Sequence, residues 1–308
     1  MPEGSVGTKA AREGLVDERL LQAHVERLAG TIGERNVFHP RALGAARRYI
    51  EQVFKAQGYA VATDEFQTHG EACANLEVTH PGARSKEILL IGAHYDSVAG
   101  SPGANDNGSG VAAMLELSRL FAMRAPGLTL RFVAFVNEEP PFFATPQQGS
   151  LVYAKAARAR GDRIRLMVSL ETIGYYQNAP GSQHYPAPFS LFYPNRGNFL
   201  SLVSDLRARS AMRKVARCFR ENSDFPLEHV ATFRFVPGVS WSDHRSFWQL
   251  GYRALLVTDT APFRYPYYHT SADTPDKLCY PEFTLATEGL YKAFAAFAMS
   301  EANGVPPP

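Results

Sequence analysis

Residues 87–94 read Glu-Ile-Leu-Leu-Ile-Gly-Ala-His, an apolar run that ends on a histidine. Three further apolar runs each end just before an acidic residue: 130–137 before Glu138 and Glu139, 166–170 before Glu171, and 254–258 before Asp259. Runs that are apolar at nearly every position suit strands buried on both faces of a sheet. Because ligands bind at the carboxyl ends of strands in open α/β sheets, these four ends predict a functional site.

The spacing of apolar residues predicts helices between these strands. We predict strands over 72–79, 87–93, 129–136, 165–171, 188–193, 231–236 and 253–258. We predict helices over 16–30, 42–57, 109–124, 149–160, 196–210 and 283–299. Alternating strands and helices are typical of a doubly wound α/β fold, here a mostly parallel, mixed sheet with helices on both faces.

The size of the chain suits one large domain. It has 308 residues, 45% of them hydrophobic and 20% charged, which is enough for a single α/β core. We expect one domain over 1–308, with a helical part at 1–60, an α/β catalytic core with loop insertions at 61–300 and a flexible tail at 301–308. The formal net charge is +2, and no cluster of Lys and Arg suggests a nucleic-acid partner.

The cysteines and the lengths of the apolar runs argue against a disulfide-rich protein, a thiolate zinc site and a membrane-spanning protein. Cys73, Cys218 and Cys279 form neither a disulfide framework nor the close pair of a thiolate zinc site. The longest apolar runs are far shorter than the ~18 residues of a membrane span, and the opening residues lack the apolar segment of a signal peptide. We therefore expect no membrane association. The expected location is cytoplasmic, or extracytoplasmic if a leader has been removed.

His94 is followed two residues later by Asp96. Residues two apart on a strand point the same way, so Asp96 can reach the imidazole of His94. A carboxylate in that position fixes the tautomer of a metal-bound histidine. The alternative is an ordinary hydrogen-bonded histidine at the end of a strand.

Segment 103–110, Gly-Ala-Asn-Asp-Asn-Gly-Ser-Gly, places Asp106 among three glycines. The glycines free the backbone around Asp106, which suits a carboxylate that bridges two metal ions. Alternatively, Asn105, Asp106 or Asn107 caps the helix that is predicted to start near residue 109.

Glu138 and Glu139 are adjacent carboxylates after an apolar strand, and burying both is costly without a partner. A metal ion offsets this cost, with one glutamate as ligand and the other accepting a proton from water. The alternative is an exposed acidic turn, although the following Pro-Pro-Phe-Phe crowds it.

Three further candidates each have an ordinary alternative when taken alone. Glu171 could form an ion pair with an arginine. His269 could be a surface histidine in its loop, and Ser242-Asp243-His244 could cap a helix. Other hydrolase and nucleotide-binding classes lack support, because the Gly-x-Ser-x-Gly elbow, the HExxH helix, the P-loop and the dinucleotide fingerprint are all missing.

Together these residues resemble the co-catalytic zinc aminopeptidase family. That family includes bacterial leucyl aminopeptidases, glutamate carboxypeptidase, the glutaminyl cyclases and the non-enzymatic transferrin receptor. The resemblance extends from about His94 to Asp276 through six motifs in order: IGAHYDSV, GANDNGSG, FVNEE, SLETIG, SDHRSFW and YYHTSADTPD. Six ordered motifs are a specific signal.

The resemblance implies two zinc ions. His94 and Glu171 would bind one ion, Glu139 and His269 the other, and Asp106 would bridge them. In many members of the family the residue at position 171 is Asp, so the glutamate adds one methylene here.

The resemblance also implies the roles of residues that do not bind metal. Glu138 would be the general base, Asp96 the partner of His94, and Tyr268 the hydroxyl that polarises the scissile carbonyl. The Asp106–Asn107 peptide bond would be cis. Three residues are expected to line the substrate pocket: Ser242, Asp243 and His244.

The favoured function is an aminopeptidase that acts on peptides. The alternatives are a glutaminyl cyclase, which works with one zinc ion, and a binding protein with a dead site. A candidate ligand at all five metal positions favours the peptidase; the sequence does not predict an oligomeric state. Six aromatic residues are expected either to form a wall that favours an apolar N-terminal residue or to pack as ordinary core: Phe142, Phe143, Tyr175, Tyr265, Tyr267 and Tyr268.

Overall fold

The computed structural model describes residues 15–302, and eight strands in this range form one sheet. They are β1 (Val61–Thr68), β2 (Glu71–His80), β3 (Ser85–His94), β4 (Leu128–Phe135), β5 (Ile164–Glu171), β6 (Leu200–Asp205), β7 (Leu227–Thr232) and β8 (Ala254–Thr258). Their order is β1-β2-β4-β3-β5-β8-β6-β7. The central strands β4, β3, β5 and β8 are parallel, so their carboxyl ends meet at one edge of the sheet.

Helices cover both faces of the sheet. They are α1 (Glu18–Val25), which continues as π-helical turns to Ile32, α2 (Pro40–Ala56), α3 (Gly110–Ala122), α4 (Gly149–Ala159), α5 (Arg209–Asn222), α6 (His244–Gln249) and α7 (Tyr280–Ala302). Helices α1, α2, α3, α5 and α7 share one hydrophobic core with the sheet. Helices α4 and α6 form a second core on the opposite face. The predicted doubly wound, mixed α/β fold is confirmed.

Strand β3 is apolar at successive positions because both of its faces are buried. Leu89 and Ile91 point into the larger core, whereas Ile88 and Leu90 point into the smaller one. Successive side chains of a strand alternate between faces, so a strand covered on both sides needs apolar residues at both sets of positions. His94 ends this strand at the edge where the four parallel strands meet.

Three sequence predictions were wrong around β6 and β7. Segment 188–193 was predicted as a strand, but it is a loop with a short 3₁₀ turn, Phe189–Leu191, and its apolar Leu191 and Phe192 are exposed. Segment 196–210 was predicted as a helix, yet it contains the fully buried strand β6. Tertiary packing decided this conformation, because burial on both faces outweighs local periodicity. The strand predicted at 231–236 lies earlier, as β7.

Strand β1 and the ends of the chain also differ from what the sequence predicts. Strand β1 was not predicted, because most of its residues are polar and it pairs only with β2 at the edge of the sheet. Helix α7 extends to Ala302, two residues into the segment predicted as a flexible tail. Residues 303–308 of that tail, and residues 1–14 of the predicted helical N-terminal part, lie outside the described residues.

Candidate metal centre

The five predicted ligands meet at the carboxyl edge of the parallel strands. His94 ends β3, Glu139 follows β4 and Glu171 ends β5. Asp106 lies in the loop that leads into α3, and His269 lies in the loop before α7. Ligand atoms of these residues form compact groups within 4.8 Å of one another. Segments that are more than 100 residues apart in sequence thus converge on one site.

Asp106 lies between the two histidines and faces each with a different oxygen. Its Oδ1 is 3.3 Å from Nε2 of His94, and its Oδ2 is 3.0 Å from Nε2 of His269. Each histidine also faces a glutamate. Oε2 of Glu171 lies 3.2 Å from Nε2 of His94, and Oε2 of Glu139 lies 3.4 Å from Nε2 of His269. The arrangement consists of two donor groups that share one carboxylate.

The charge in this site is poorly balanced by the protein alone. Burial raises the pKa of Glu138, Glu139 and Glu171 above its usual range, and neighbouring carboxylates add to this effect while His94 opposes it. Burial would lower the pKa of His94, but the surrounding carboxylates raise it well above normal. A buried cluster of carboxylates therefore favours any added positive charge.

Candidate ligand atoms without hydrogen-bond partners also indicate that the site binds a positive ion. Nε2 of His94, Oδ1 of Asp106 and Oε1 of Glu139 are buried without a hydrogen-bond partner among the described residues. Buried polar atoms are costly unless they are paired or coordinate a metal ion. Imidazole nitrogen and carboxylate oxygen are a donor set that zinc accepts, so the residues present fit the implied metal.

Asp96 holds the ends of two strands together. Its Oδ1 lies 3.5 Å from Nδ1 of His94, and its backbone oxygen lies 3.2 Å from the same nitrogen. The carboxylate also accepts hydrogen bonds from the backbone N–H groups of Glu138, at 3.2 Å, and Glu139, at 3.1 Å. The hydrogen bonds from the backbone of Glu138 and Glu139 to Asp96 were not predicted from the sequence. Asp96 thus orients His94 and fixes the turn that carries both glutamates.

The loop around Asp106 is anchored from two sides. Asp273 accepts hydrogen bonds from the backbone N–H groups of Asn105, at 2.8 Å, and Asp106, at 3.1 Å. Asn107 donates to the carbonyl oxygen of Leu170 at 2.8 Å. The Asp106–Asn107 peptide bond is cis, as the resemblance implied. Sequence reasoning missed Asp273, although it lies inside the motif that contains His269.

Arg35 is a second residue that sequence reasoning missed, and it has no motif around it. Its side chain is fully buried. The guanidinium donates to the carbonyl oxygens of Tyr95 at 2.7 Å, Pro102 at 2.5 Å and Gly103 at 2.8 Å. Burial lowers its pKa to about 10, against the pull of nearby carboxylates such as Asp273. Arg35 therefore joins the end of β3 to the loop that carries Asp106.

The segment Ser242-Asp243-His244 lies behind the site and is fully buried. Ser242 donates a 2.8 Å hydrogen bond to Oε2 of Glu171. His244 faces away, with Nε2 2.8 Å from the carbonyl oxygen of Val239. None of the three lines the apolar cavity beside the ligand cluster, so the geometry differs from the pocket-lining position that the resemblance implied. Ser242 supports Glu171 instead.

A largely apolar cavity opens beside the ligand cluster, and Glu171 and Tyr268 belong to its wall. Its other aromatic lining comes from loops around β6, β7 and β8: Tyr185, Phe189, Tyr193, Phe199, Trp241 and Phe263. Of the six residues in the predicted aromatic wall, only Tyr268 lines this cavity. Tyr265 contacts the rings of Tyr175 and Tyr267, and Phe142 packs beside Phe38 and His69.

Tyr268 stacks on the imidazole of His269, with ring centroids 3.9 Å apart. Burial raises the pKa of Tyr268 far above its usual range, and Asp106, Glu139 and Glu171 add to this effect. The phenol therefore keeps its proton at neutral pH and can act as a hydrogen-bond donor. Its position in the cavity wall places this donor beside the ligand cluster.

Fold and site together define a metal-dependent peptidase. The model of peptidase family M28 matches residues 75–293, and the chain belongs to that family. Membership implies zinc as the metal and peptides as substrates. Among residues 15–302, no helix has both the length and the apolar character needed to cross a membrane.

Relatives by sequence include proteins with and without an assigned activity. The protein YfbL of Escherichia coli (strain K12), itself described as uncharacterized, is 36% identical over 279 residues, which cover 88% of this chain and 85% of YfbL. A probable leucine aminopeptidase of Arthroderma otae is 26% identical over 239 residues, covering 73% of this chain and 57% of the relative. This chain thus spans little more than half of the fungal protein.

Solved structures with the same fold carry two different activities. BSAP, a zinc aminopeptidase from Bacillus subtilis, superposes with a TM-score of 0.75 at 14% identity, covering 94% of this chain and 97% of BSAP. The glutaminyl cyclase of Fimbriiglobus ruber superposes with a TM-score of 0.70 at 20% identity, covering 96% and 99%. At such identities the likeness shows the fold alone, so the activity has to be argued from the site.

Proposed function

We propose that this chain is an aminopeptidase that uses two zinc ions to remove N-terminal residues from peptides. The observation that carries the proposal is the position of Asp106, whose two oxygens face two different histidines. One ion would be held by His94 and Glu171 and the other by His269 and Glu139, with Asp106 shared between them. A site for a single ion would need only one of the two histidines, His94 or His269.

Zinc supplies a Lewis acid for the scissile carbonyl and activates a water for attack. The chain's own residues do the rest. Glu138 lies at the edge of the cluster, with Oε2 3.8 Å from Nε2 of His94. Its raised pKa, caused first by burial, suits a group that accepts a proton from the attacking water and returns it to the leaving amine.

Tyr268 and Asp96 complete the proposed machinery. The protonated phenol of Tyr268 would donate a hydrogen bond to the carbonyl oxygen as negative charge develops there. Asp96 would act as a positioning residue, because it contacts His94 and the backbone of Glu138 and Glu139 without lining the cavity. The cavity beside Tyr268 would receive the side chain of the N-terminal residue.

The test uses leucine arylamide, its N-acetylated form and a glutaminyl peptide, each with the zinc-loaded protein and with a chelator. We expect hydrolysis of leucine arylamide only, loss of activity with the chelator and recovery with zinc. The free amine is required because an aminopeptidase binds the N-terminus itself. Hydrolysis of the acetylated substrate, or cyclisation of the glutaminyl peptide without arylamide hydrolysis, would overturn the proposal.

A further inference from the structure

Four cavity-lining residues form one row across the sheet. Glu171 on β5 pairs with Thr258 on β8, Thr258 pairs with Ser201 on β6, and Ser201 pairs with Glu228 on β7. All four line the same cavity. Three inter-strand spacings separate the two glutamates, a span of roughly 14 Å. The row thus leads from a proposed zinc ligand to a second carboxylate near the edge of the sheet.

Glu228 lies in a mostly apolar part of the cavity. Tyr185, Tyr193 and Val230 line the wall with it, and burial raises the pKa of its half-buried carboxyl group. Within residues 15–302, its carboxylate has neither a hydrogen bond nor an ion pair. A partly desolvated carboxylate without a partner favours a cation that enters the cavity.

Arg220 does not fill this role. Its guanidinium donates at 2.8 Å to the carbonyl oxygen of Leu227 and lies 3.2 Å from Nδ1 of His229. Leu227 and His229 flank Glu228 in β7, so their side chains point to the face opposite the cavity. The charge of Arg220 opposes the effect of burial on the pKa of Glu228, but Arg220 does not pair with Glu228.

The shape and charge of the cavity match a long basic side chain. Lysine and arginine combine an apolar stem with a charged end, and the stem packs well on aromatic walls. An extended basic side chain reaches roughly 6–7 Å from its Cα, and a glutamate side chain roughly 4 Å. A basic side chain between Glu171 and Glu228 therefore spans the row.

We propose that the cavity selects an N-terminal lysine or arginine and that Glu228 pairs with its ammonium or guanidinium group. This inference rests on the proposed aminopeptidase function and names its substrate class. It departs from the expected preference for an apolar residue, which depended on aromatic residues that, apart from Tyr268, do not line this cavity. Glu228 would determine specificity without contacting the reacting atoms.

The test compares lysine, arginine, norleucine and leucine arylamides. Norleucine has the lysine stem without the charged end, so the ratio of kcat/KM for lysine over norleucine isolates the contribution of the cation. We expect Glu228→Gln to lower this ratio roughly ten-fold, the value of a charge-assisted contact in a partly exposed site, while norleucine activity stays constant. Glu221→Gln, a matched change on the exposed side of α5, should leave the ratio unchanged.

Each outcome separates the two proposals. If the wild type hydrolyses leucine and norleucine arylamides but Glu228→Gln leaves the ratio unchanged, the role of Glu228 is wrong and the aminopeptidase stands. Release of dipeptides or tripeptides from longer peptides, if Glu228→Gln abolishes it, would assign Glu228 to an α-ammonium group, which also overturns the side-chain assignment. If no arylamide is hydrolysed, the proposed aminopeptidase function is wrong. Calorimetry with lysinamide and norleucinamide then tests whether Glu228 pairs with a basic side chain. Equal affinity for the two amides would contradict that role.

Discussion

The backbone N–H of Glu139 donates a 3.1 Å hydrogen bond to the carboxylate of Asp96. Asp96 follows β3 and Glu139 follows β4, so this contact ties together the ends of two adjacent parallel strands. The same carboxylate lies beside Nδ1 of His94. One side chain therefore sets the position of proposed ligands for both zinc ions.

Asp96→Asn should weaken zinc binding by roughly 10–100-fold, the usual effect of losing a partner of a metal-bound histidine. The asparagine keeps the size of the side chain but loses the negative charge and one of its two acceptor oxygens. Competition with a zinc chelator measures the affinity, and circular dichroism checks the fold. Asp224→Asn, at an exposed position before β7, is the control. Equal zinc affinity of Asp96→Asn and the wild type would remove Asp96 from the site.

Glu138→Gln and Glu139→Gln should differ in kind. Glu138→Gln cannot accept a proton, so kcat should fall by ~10²–10⁴ while zinc content stays near that of the wild type. Glu139→Gln should lose zinc, because an amide is a poorer ligand than a carboxylate. Metal analysis beside steady-state kinetics measures both. The opposite pattern would exchange the two roles, and full activity in both variants would place neither residue in the active site.

Much of this site could be predicted because its chemistry coincides with strand ends. His94, Glu139 and Glu171 follow apolar runs that the periodicity identified, and parallel pairing brings such ends together. The contacts of Arg35 and Asp273 could not be predicted. Arg35 donates to backbone carbonyl oxygens and Asp273 accepts from backbone N–H groups of distant segments, and such hydrogen bonds leave no pattern in the sequence.

The cavity was missed for a related reason. Its floor includes β6 and β7, and the segment of β6 has a helix-like spacing of apolar residues that packing overrides. The aromatic residues expected to form its wall were chosen because they lie near the ligands in sequence. In the fold, Tyr265 instead donates a 2.7 Å hydrogen bond to Asp273, whereas the actual wall comes from the loop that contains Tyr185 and Tyr193.

Gly110 should not tolerate a side chain. A Cβ at this position would lie 2.2 Å from Oδ1 of Asn107 and 2.6 Å from the carbonyl oxygen of Leu170. We expect Gly110→Ala to lower the free energy of unfolding by about 2–3 kcal/mol, because the loop next to Asp106 must shift. Urea denaturation of the zinc-free protein measures this effect.

Gly44→Ala is the matched control for Gly110→Ala. Gly44 lies inside α2, and a Cβ there would approach only the flexible end of Arg48. Alanine is more favourable than glycine inside a helix, so the free energy of unfolding of this variant should rise by about 0.5–1 kcal/mol. A Gly110→Ala variant as stable as the wild type would show that the loop around Asp106 is less tightly packed than these distances imply.

His24 should make stability depend on pH. Burial lowers its pKa from 6.5 to about 4, with Glu116 opposing and Arg119 adding to the effect. Between these values the unfolded chain binds a proton that the folded protein excludes. The stability contributed by neutral His24 is therefore complete above pH 6.5 and falls as the pH decreases toward 4, by about 2 kcal/mol at pH 5.

His24→Gln isolates this contribution, because the amide does not titrate. Urea denaturation from pH 7.5 to 5, with chelator present, should show a smaller loss of stability for His24→Gln than for the wild type. His39→Gln, which changes an exposed histidine, should follow the wild type. Parallel pH profiles for the wild type and His24→Gln would contradict the buried, neutral state of His24.

The number of zinc ions tests the central claim most directly. The metal-free protein should be titrated with zinc while bound metal and hydrolysis of leucine arylamide are both followed. The geometry around Asp106 predicts two ions per chain, and His269→Ala should bind only one and lose most activity, because its second donor group is incomplete. Saturation at one ion per chain, with full activity and no effect of His269→Ala, would contradict the two-zinc account.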